Sequence, residues 1–404
     1  MRRISWALLL IFAFTIPWEY SLDLGEPLGS IGRIAGLVLL LAFIPHVLLA
    51  GKIRIPGLLQ LLVVSIFLWF SCSYFWSIDP PATLQRMRAL AQVMMPVWMI
   101  WELVDSPERI RHLMRAFIGG SWVLAALTIA NFATSGIAEQ VRFAAEGQDP
   151  NDVARFLDLG LPLAGLLAIS DENWWGKLLA WGYLPLGLVG VLLTASRGGF
   201  LAAVLAIAGC ALLMARVHGR MALAAFLALP VVGAIVSVVA PHETIARLAT
   251  IPEQLVSGNM NQRFNIWAAG WQAFLHAPWL GSGAGSFVAA SGLAEIDTAH
   301  NTALAIAVEG GLGALALALG IVFSAVYSVL GMRGTARIGF GAALTVLIVT
   351  STVATVEGNR STWFLLALIA VAARLSAEML TPADPLFEFH SNALRRGRRS
   401  EIPA

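Results

Sequence analysis

Apolar runs long enough to cross a lipid bilayer recur along almost the whole chain, and nothing else in the sequence constrains the fold as strongly. A spanning helix needs roughly 17 to 25 predominantly apolar residues. Such runs are expected near 4–18, 30–50, 57–75, 84–104, 113–133, 153–170, 176–194, 198–215, 221–240, 303–331, 338–356 and 362–379. In lipid every backbone polar group must be satisfied within the chain, so only helices and closed barrels span. Leu, Val, Ala and Ile dominate the runs with Gly scattered among them, which suits closely packed helices. Composition agrees: 58% of the 404 residues are hydrophobic, 12% are charged and mean hydropathy is +0.78, whereas a soluble domain carries roughly 25% charged residues. The expected fold is all-α, a polytopic integral membrane protein of about 12 transmembrane helices.

The expected division is 1–240 for helices one to nine, 241–302 for a large outer loop with short helices, 303–380 for helices ten to twelve, and 381–404 for a tail. The tenth run contains Glu309-Gly310-Gly311 and is expected to be broken or tilted. Met1-Arg2-Arg3 and the run after it have the charged and apolar parts of a signal peptide. They lack a clean small-x-small cleavage site, so they read as a retained first helix. Cys72 and Cys210 lie inside apolar runs and offer neither a disulfide framework nor a metal-binding pair.

Basic residues set the orientation. Lys52, Arg54, Arg109, Arg111, Arg115, Lys177, Arg216, Arg220, Arg333 and Arg337 all fall where an even number of crossings returns the chain to the inner side. Both termini are therefore expected in the cytoplasm and 241–302 outside. Arg395, Arg396, Arg398 and Arg399 in the tail read as a topology anchor, with anionic membrane lipid as the alternative partner.

The outer face, which this bias should leave poor in base, still holds Arg86, Arg88, Arg142, Arg155, Arg197, Arg247, Arg263 and Arg360, and no lysine. Arginine presents a planar fork matched to phosphate or carboxylate oxygens, where lysine offers a point charge. The plainer alternative is pairing with Asp79, Asp149, Asp152, Glu243 or lipid phosphates. In LLTASRGGF, Arg197 sits at a hydrocarbon boundary with small neighbours that admit close approach. Arg142 and Arg155 flank Asp149-Pro150-Asn151-Asp152, which reads as a turn and helix cap. That capping role explains the two aspartates better than a metal site, and no metal is expected. Arg263, Trp267 and Trp271 share one face of a helix expected to lie on the outer leaflet. Gly281-Ser282-Gly283-Ala284-Gly285 follows no strand, so it reads as a flexible connection and not as a nucleotide loop.

His300 is expected in the first turn of the tenth span, capped by Asp297 or Thr298. A helix N-terminus disfavours the imidazolium, which keeps a histidine neutral and able to accept a proton. Of the seven histidines, only His300 combines the outer boundary, an adjacent Asn301 and the arginine-rich face. A satisfied interfacial histidine is the plainer alternative.

The stretches SYFWSIDPPATLQR, QDPNDVARF, LLTASRGGF, NQRFNIWAAGWQAF…APWLGSGAGSF and AHNTALAIAVEGGLG, in that order over about residues 70–315, resemble the O-antigen ligase/polymerase superfamily of bacterial inner membranes. Within it the chain looks most like an O-antigen ligase; polymerases share much of the pattern. The resemblance implies transfer of a polysaccharide from undecaprenyl pyrophosphate to the lipid A-core at the periplasmic face, metal-independent, inverting and without a cofactor. It places the essential histidine on His300 and the arginines on Arg197 and Arg263, with Arg142 as a third and Asn301 and Arg155 in support. No nucleic-acid partner is expected. The chemistry agrees: a leaving pyrophosphate needs its charge neutralised more than it needs an acid, and a neutral histidine can activate a sugar hydroxyl. A secondary transporter would need ionisable groups near the midplane and symmetric halves, and a scaffold would not need unpaired arginines.

Overall fold

A computed structural model describes all residues except 26–27, 136–141, 218–241, 251–261, 295–297 and 379–404, and the side chains of 242–244 and 248. The helices are α1 (Arg2–Thr15), α2 (Ile31–Ala50), α3 (Leu58–Cys72), α4 (Pro80–Leu103), α5 (Pro107–Thr134), α6 (Pro150–Ser170), α7 (Trp174–Leu193) and α8 (Arg197–Val217). Three short helices follow, α9 (His242–Ala249), α10 (Arg263–His276) and α11 (Phe287–Ser291), and then α12 (Thr302–Gly331), α13 (Gly334–Ser351) and α14 (Arg360–Glu378). Among the described residues, ten helices are long and apolar enough to cross a membrane. The chain is an all-α polytopic membrane protein.

Eleven of the expected spans fall on described residues, and each is helical; the run at 221–240 lies outside them. The expected 84–104 run is α4, 24 residues long, which falls outside those ten and carries Arg86 and Arg88 in its second and third turns. The first run is longer than expected because Pro17 turns α1 into a tighter 3-10 segment, Ile16–Ser21, and does not end it.

Successive helices run between two ends of the bundle. One end gathers the starts of α4, α6, α8, α12 and α14. It is tied by the buried Glu19–Arg360 pair, by the Ile78 amide donating to the Ser282 carbonyl at 3.0 Å, and by Asn301 Nδ2 donating to the Thr352 carbonyl at 3.2 Å. The opposite end is tied by Arg2–Asp105, by the Arg54 amide on Glu102 at 2.8 Å, and by Arg115 Nη2 on Asp171 at 2.5 Å.

Helix α6 is the hub. Its span is 83% buried, against 11% for α2, and it packs on α5, α7, α8 and α13. The α6–α8 contact requires Gly199, since a Cβ there would lie 2.4 Å from Ala154 Cβ. The first turn of α6 is more open, with Asp149 exposed and Asn151 and Asp152 half-buried. Deeper in the same helix, Asp158 is fully buried, and neither carboxyl oxygen has a hydrogen-bond partner among the described residues. The site described below does not use it, and nothing in the structure explains it.

The expected break in the tenth span is present. Gly311 (φ 64°, ψ −164°) interrupts α12, and backbone from the preceding loop fills the gap. The Ser282 and Gly283 amides donate to the Val308 and Glu309 carbonyls at 2.9 Å each, and the Leu312 amide donates to Pro278 at 2.8 Å. The Gly281–Gly285 segment is thus not the flexible connection expected. A broken helix exposes backbone groups that lipid cannot satisfy, and this loop satisfies them. A Cβ at Gly281 would sit 2.5 Å from the Glu309 carbonyl, so only glycine fits.

Candidate active site

Three described non-glycine residues have positive φ: Ala195 (48°), Gln262 (63°) and His300 (46°). All three stand at helix starts. Ala195 precedes Ser196 and Arg197 at the head of α8, Gln262 is the N-cap of α10, and His300 lies one residue before Asn301, the N-cap of α12. Left-handed backbone at such residues costs on the order of 1–3 kcal/mol each and clusters where a site over-determines the conformation.

The first of these turns is held by arginines. Arg142 donates through Nε to the Thr194 carbonyl (3.2 Å) and through Nη2 to Asn151 Oδ1 (2.7 Å). Ser196 Oγ donates to the same Asn151 oxygen at 2.9 Å. Arg197 donates to the Arg247 carbonyl (3.3 Å) and Thr250 Oγ1 (2.7 Å), while Arg247 donates back to the Ala195 carbonyl at 3.2 Å. Every one of these acceptors is neutral. Among the described residues, none of Arg142, Arg197, Arg247 or Arg263 forms a salt bridge. Burial lowers the Arg142 pKa, and Arg247, Arg197 and Arg263 push it the same way against Asp149. Burial likewise lowers the Arg263 pKa, again against Asp149. Burial, with Arg197, also lowers that of Arg247. Arg142 thus feels three like charges, and guanidinium groups gathered without a paired carboxylate favour an anion.

Three of the remaining outer arginines are ion-paired, though only Arg155 with one of the expected partners. Arg86 pairs with Glu357 at 2.5 Å, Arg155 with Asp152 at 2.5 Å, and Arg360 with the buried Glu19. Arg155, expected as a supporting residue, is thus committed to an ion pair. Arg88 is exposed.

His300 departs from expectation in one respect. It is not in the first turn of α12: Asn301 is the cap, its side chain accepting from the Leu304 amide at 2.9 Å. Thr298 is exposed coil, and Asp297 lies outside the described residues. Asn301 therefore has a structural role, and His300 stands just outside the helix. It is half-buried and within electrostatic range of Asp152, in the first turn of α6. Asp149, the cap of that helix, is the carboxylate felt by Arg142 and Arg263. The start of α6 thereby brings His300 and the predicted Arg142, Arg197 and Arg263 together.

Two residues that the sequence names without giving them a place in the site matter here. Arg247 joins the cluster only because α9 docks on the head of α8. Trp267, half-buried, donates from Nε1 to the Ala299 carbonyl at 3.0 Å and so fixes the turn that presents His300. Trp271, on the same helix face, is exposed, as expected of an interfacial residue. A cavity of about 630 Å³ opens beside Arg142, walled also by Asn131 and Gln148; the other three arginines lie outside its wall. Its volume is in the range of ligand pockets. Among the described residues, no three His, Cys, Asp or Glu side chains are placed to hold a metal ion.

Residues 182–319 match the family model described as O-antigen ligase. The match runs from α7 to the first half of α12 and takes in Arg197, Arg247, Arg263 and His300. It bears out the resemblance to O-antigen ligases over that stretch. No curated protein matches the chain.

Proposed function

We propose that this protein is a membrane glycosyltransferase of the O-antigen ligase kind. It moves a polysaccharide from undecaprenyl pyrophosphate to a sugar hydroxyl of the lipid A-core, at the periplasmic face of the bacterial inner membrane. The observation that carries this reading is the convergence of four arginines without ion pairs at strained turns, within one helix start of His300. In a poorly hydrated site such a cluster neutralises a leaving diphosphate, and charge-assisted forks hold its oxygens.

The step balances simply. His300 takes the proton of the acceptor hydroxyl, and the oxygen attacks the anomeric carbon from the face opposite the diphosphate. The carbon–oxygen bond to the diphosphate breaks, and the anion departs among Arg142, Arg197, Arg247 and Arg263. The configuration inverts once. No general acid is needed, because the leaving group is stable as an anion.

Purified protein given pyrophosphate-linked donor and lipid A-core is expected to cap the core, and to do so undiminished in EDTA. A requirement for added divalent ion would bring Asp149 and Asp152 forward as ligands. Donor chains that lengthen while the core stays bare would make the enzyme a polymerase.

The site end is assigned to the periplasm, with 241–302 on that side and both termini in the cytoplasm. Reporter fusions after Met260 should then report periplasm, and fusions at Arg220, Thr335 or the C-terminus cytoplasm. A cytoplasmic signal after Met260 would remove the arginine cluster from the donor's side.

A further inference from the structure

We propose that a second cavity, adjoining the His300 turn, holds the hydroxyls of the acceptor glycan; the assignment rests on the transfer reading above. This cavity, about 580 Å³, is walled by Gln85 and Arg86 of α4, by Thr298 and Ala299, by Glu309 of α12 and by Thr355. Thr298 and Ala299 bring its wall to the residue before His300, which puts a base at its edge.

Its wall lacks the arginine cluster's excess of positive charge: the charged residues lining it are Arg86 and Glu309. Arg86 Nη2 lies 2.5 Å from Glu357 Oε1, and Arg86 Nε lies 4.0 Å from Glu309 Oε2. One guanidinium thus serves two carboxyl groups, leaving no positive charge to attract a diphosphate. A neutral polyol suits such a surface. Its hydroxyls donate to carboxyl oxygens and accept from guanidinium and amide, and one sugar ring offers several of each. One buried atom of this wall lacks any hydrogen-bond partner among the described residues, Thr355 Oγ1. A buried polar atom without a partner is costly, and a hydroxyl-rich ligand would satisfy it. The two substrates are thereby separated by charge, the anion at the arginines and the polyol at the paired acids, with His300 between them.

The test uses Ala89→Trp and Gln85→Ala in the full-length protein. Ala89 lines the cavity, is exposed and lies one helical turn from Gln85, so an indole there fills the mouth without entering the core. The probes are lipid A-core lacking O-antigen and the undecaprenyl-pyrophosphate-linked donor, each bound separately to detergent-purified protein. Ala89→Trp is expected to weaken core binding roughly tenfold or more, and Gln85→Ala several-fold, with donor binding unchanged; tenfold corresponds to about 1.4 kcal/mol. Core binding that stays at the wild-type value in both variants overturns the assignment, as does a loss of donor binding in place of core binding. Failure of the transfer reading looks different: wild-type protein would bind core but neither bind donor nor transfer from it. A wild-type protein that binds no core overturns both.

Discussion

His300→Ala is expected to leave donor binding nearly normal while single-turnover transfer falls by roughly 10²–10⁴, the usual worth of a general base. The histidine stands at φ 46°, where alanine is strained. His300→Asn is therefore the better-folded companion, because asparagine tolerates the left-handed region. It supplies no base at neutral pH and should be as inactive as the alanine variant. The checks are donor affinity and transfer rate on the same purified proteins. If both variants lose donor affinity while transfer per bound donor stays normal, His300 is a phosphate contact and not a base.

Arginine substitutions should fail at the earlier step. Arg263→Ala should weaken donor binding by roughly tenfold or more, since charge-assisted bonds in a desolvated site are worth about 1.5–3 kcal/mol. Arg263→Lys should recover only part of it, because a point charge cannot copy a bidentate fork. Arg197→Ala should lose at least as much, and for a second reason: Arg197 also bonds the Arg247 carbonyl and Thr250, so its removal loosens α9 and Arg247 with it. Direct titration with donor reads both effects. Unchanged affinity in Arg263→Ala would take that residue out of the clamp.

Most of the fold was legible because an apolar run of spanning length has few alternatives in lipid. The cap at Asp149 and the break at Gly311 were legible for local reasons. Asp149-Pro150 is an N-cap followed by a proline that needs no N–H, and a Gly pair inside a helix permits a non-helical φ. The cap of α12 was not. Asp297, Thr298 and Asn301 are all capping types, and which one closes the helix depends on where the turn is braced, here by Trp267 on Ala299.

The arginines show the limit most clearly. The sequence marks all eight as anomalous, but not which are paired. Arg360 finds Glu19 from 341 positions away and Arg86 finds Glu357 from 271 away. Those pairings take Arg86 and Arg360 out of the candidate anion site, as Asp152 takes out Arg155. Arg247 is added by the docking of α9 on the head of α8, a contact that spacing along the chain does not give. The Gly281–Gly285 loop failed for the same kind of reason: its rigidity comes from the broken helix it repairs, thirty residues downstream of its start.

The most direct measurement is a structure of the protein with undecaprenyl-pyrophosphate-linked glycan bound. The expected result has the diphosphate oxygens within hydrogen-bond distance of Arg142, Arg197, Arg247 and Arg263, with the anomeric carbon turned toward His300. A diphosphate seated beside Arg86 and Glu309, or bound away from all four arginines, would contradict it.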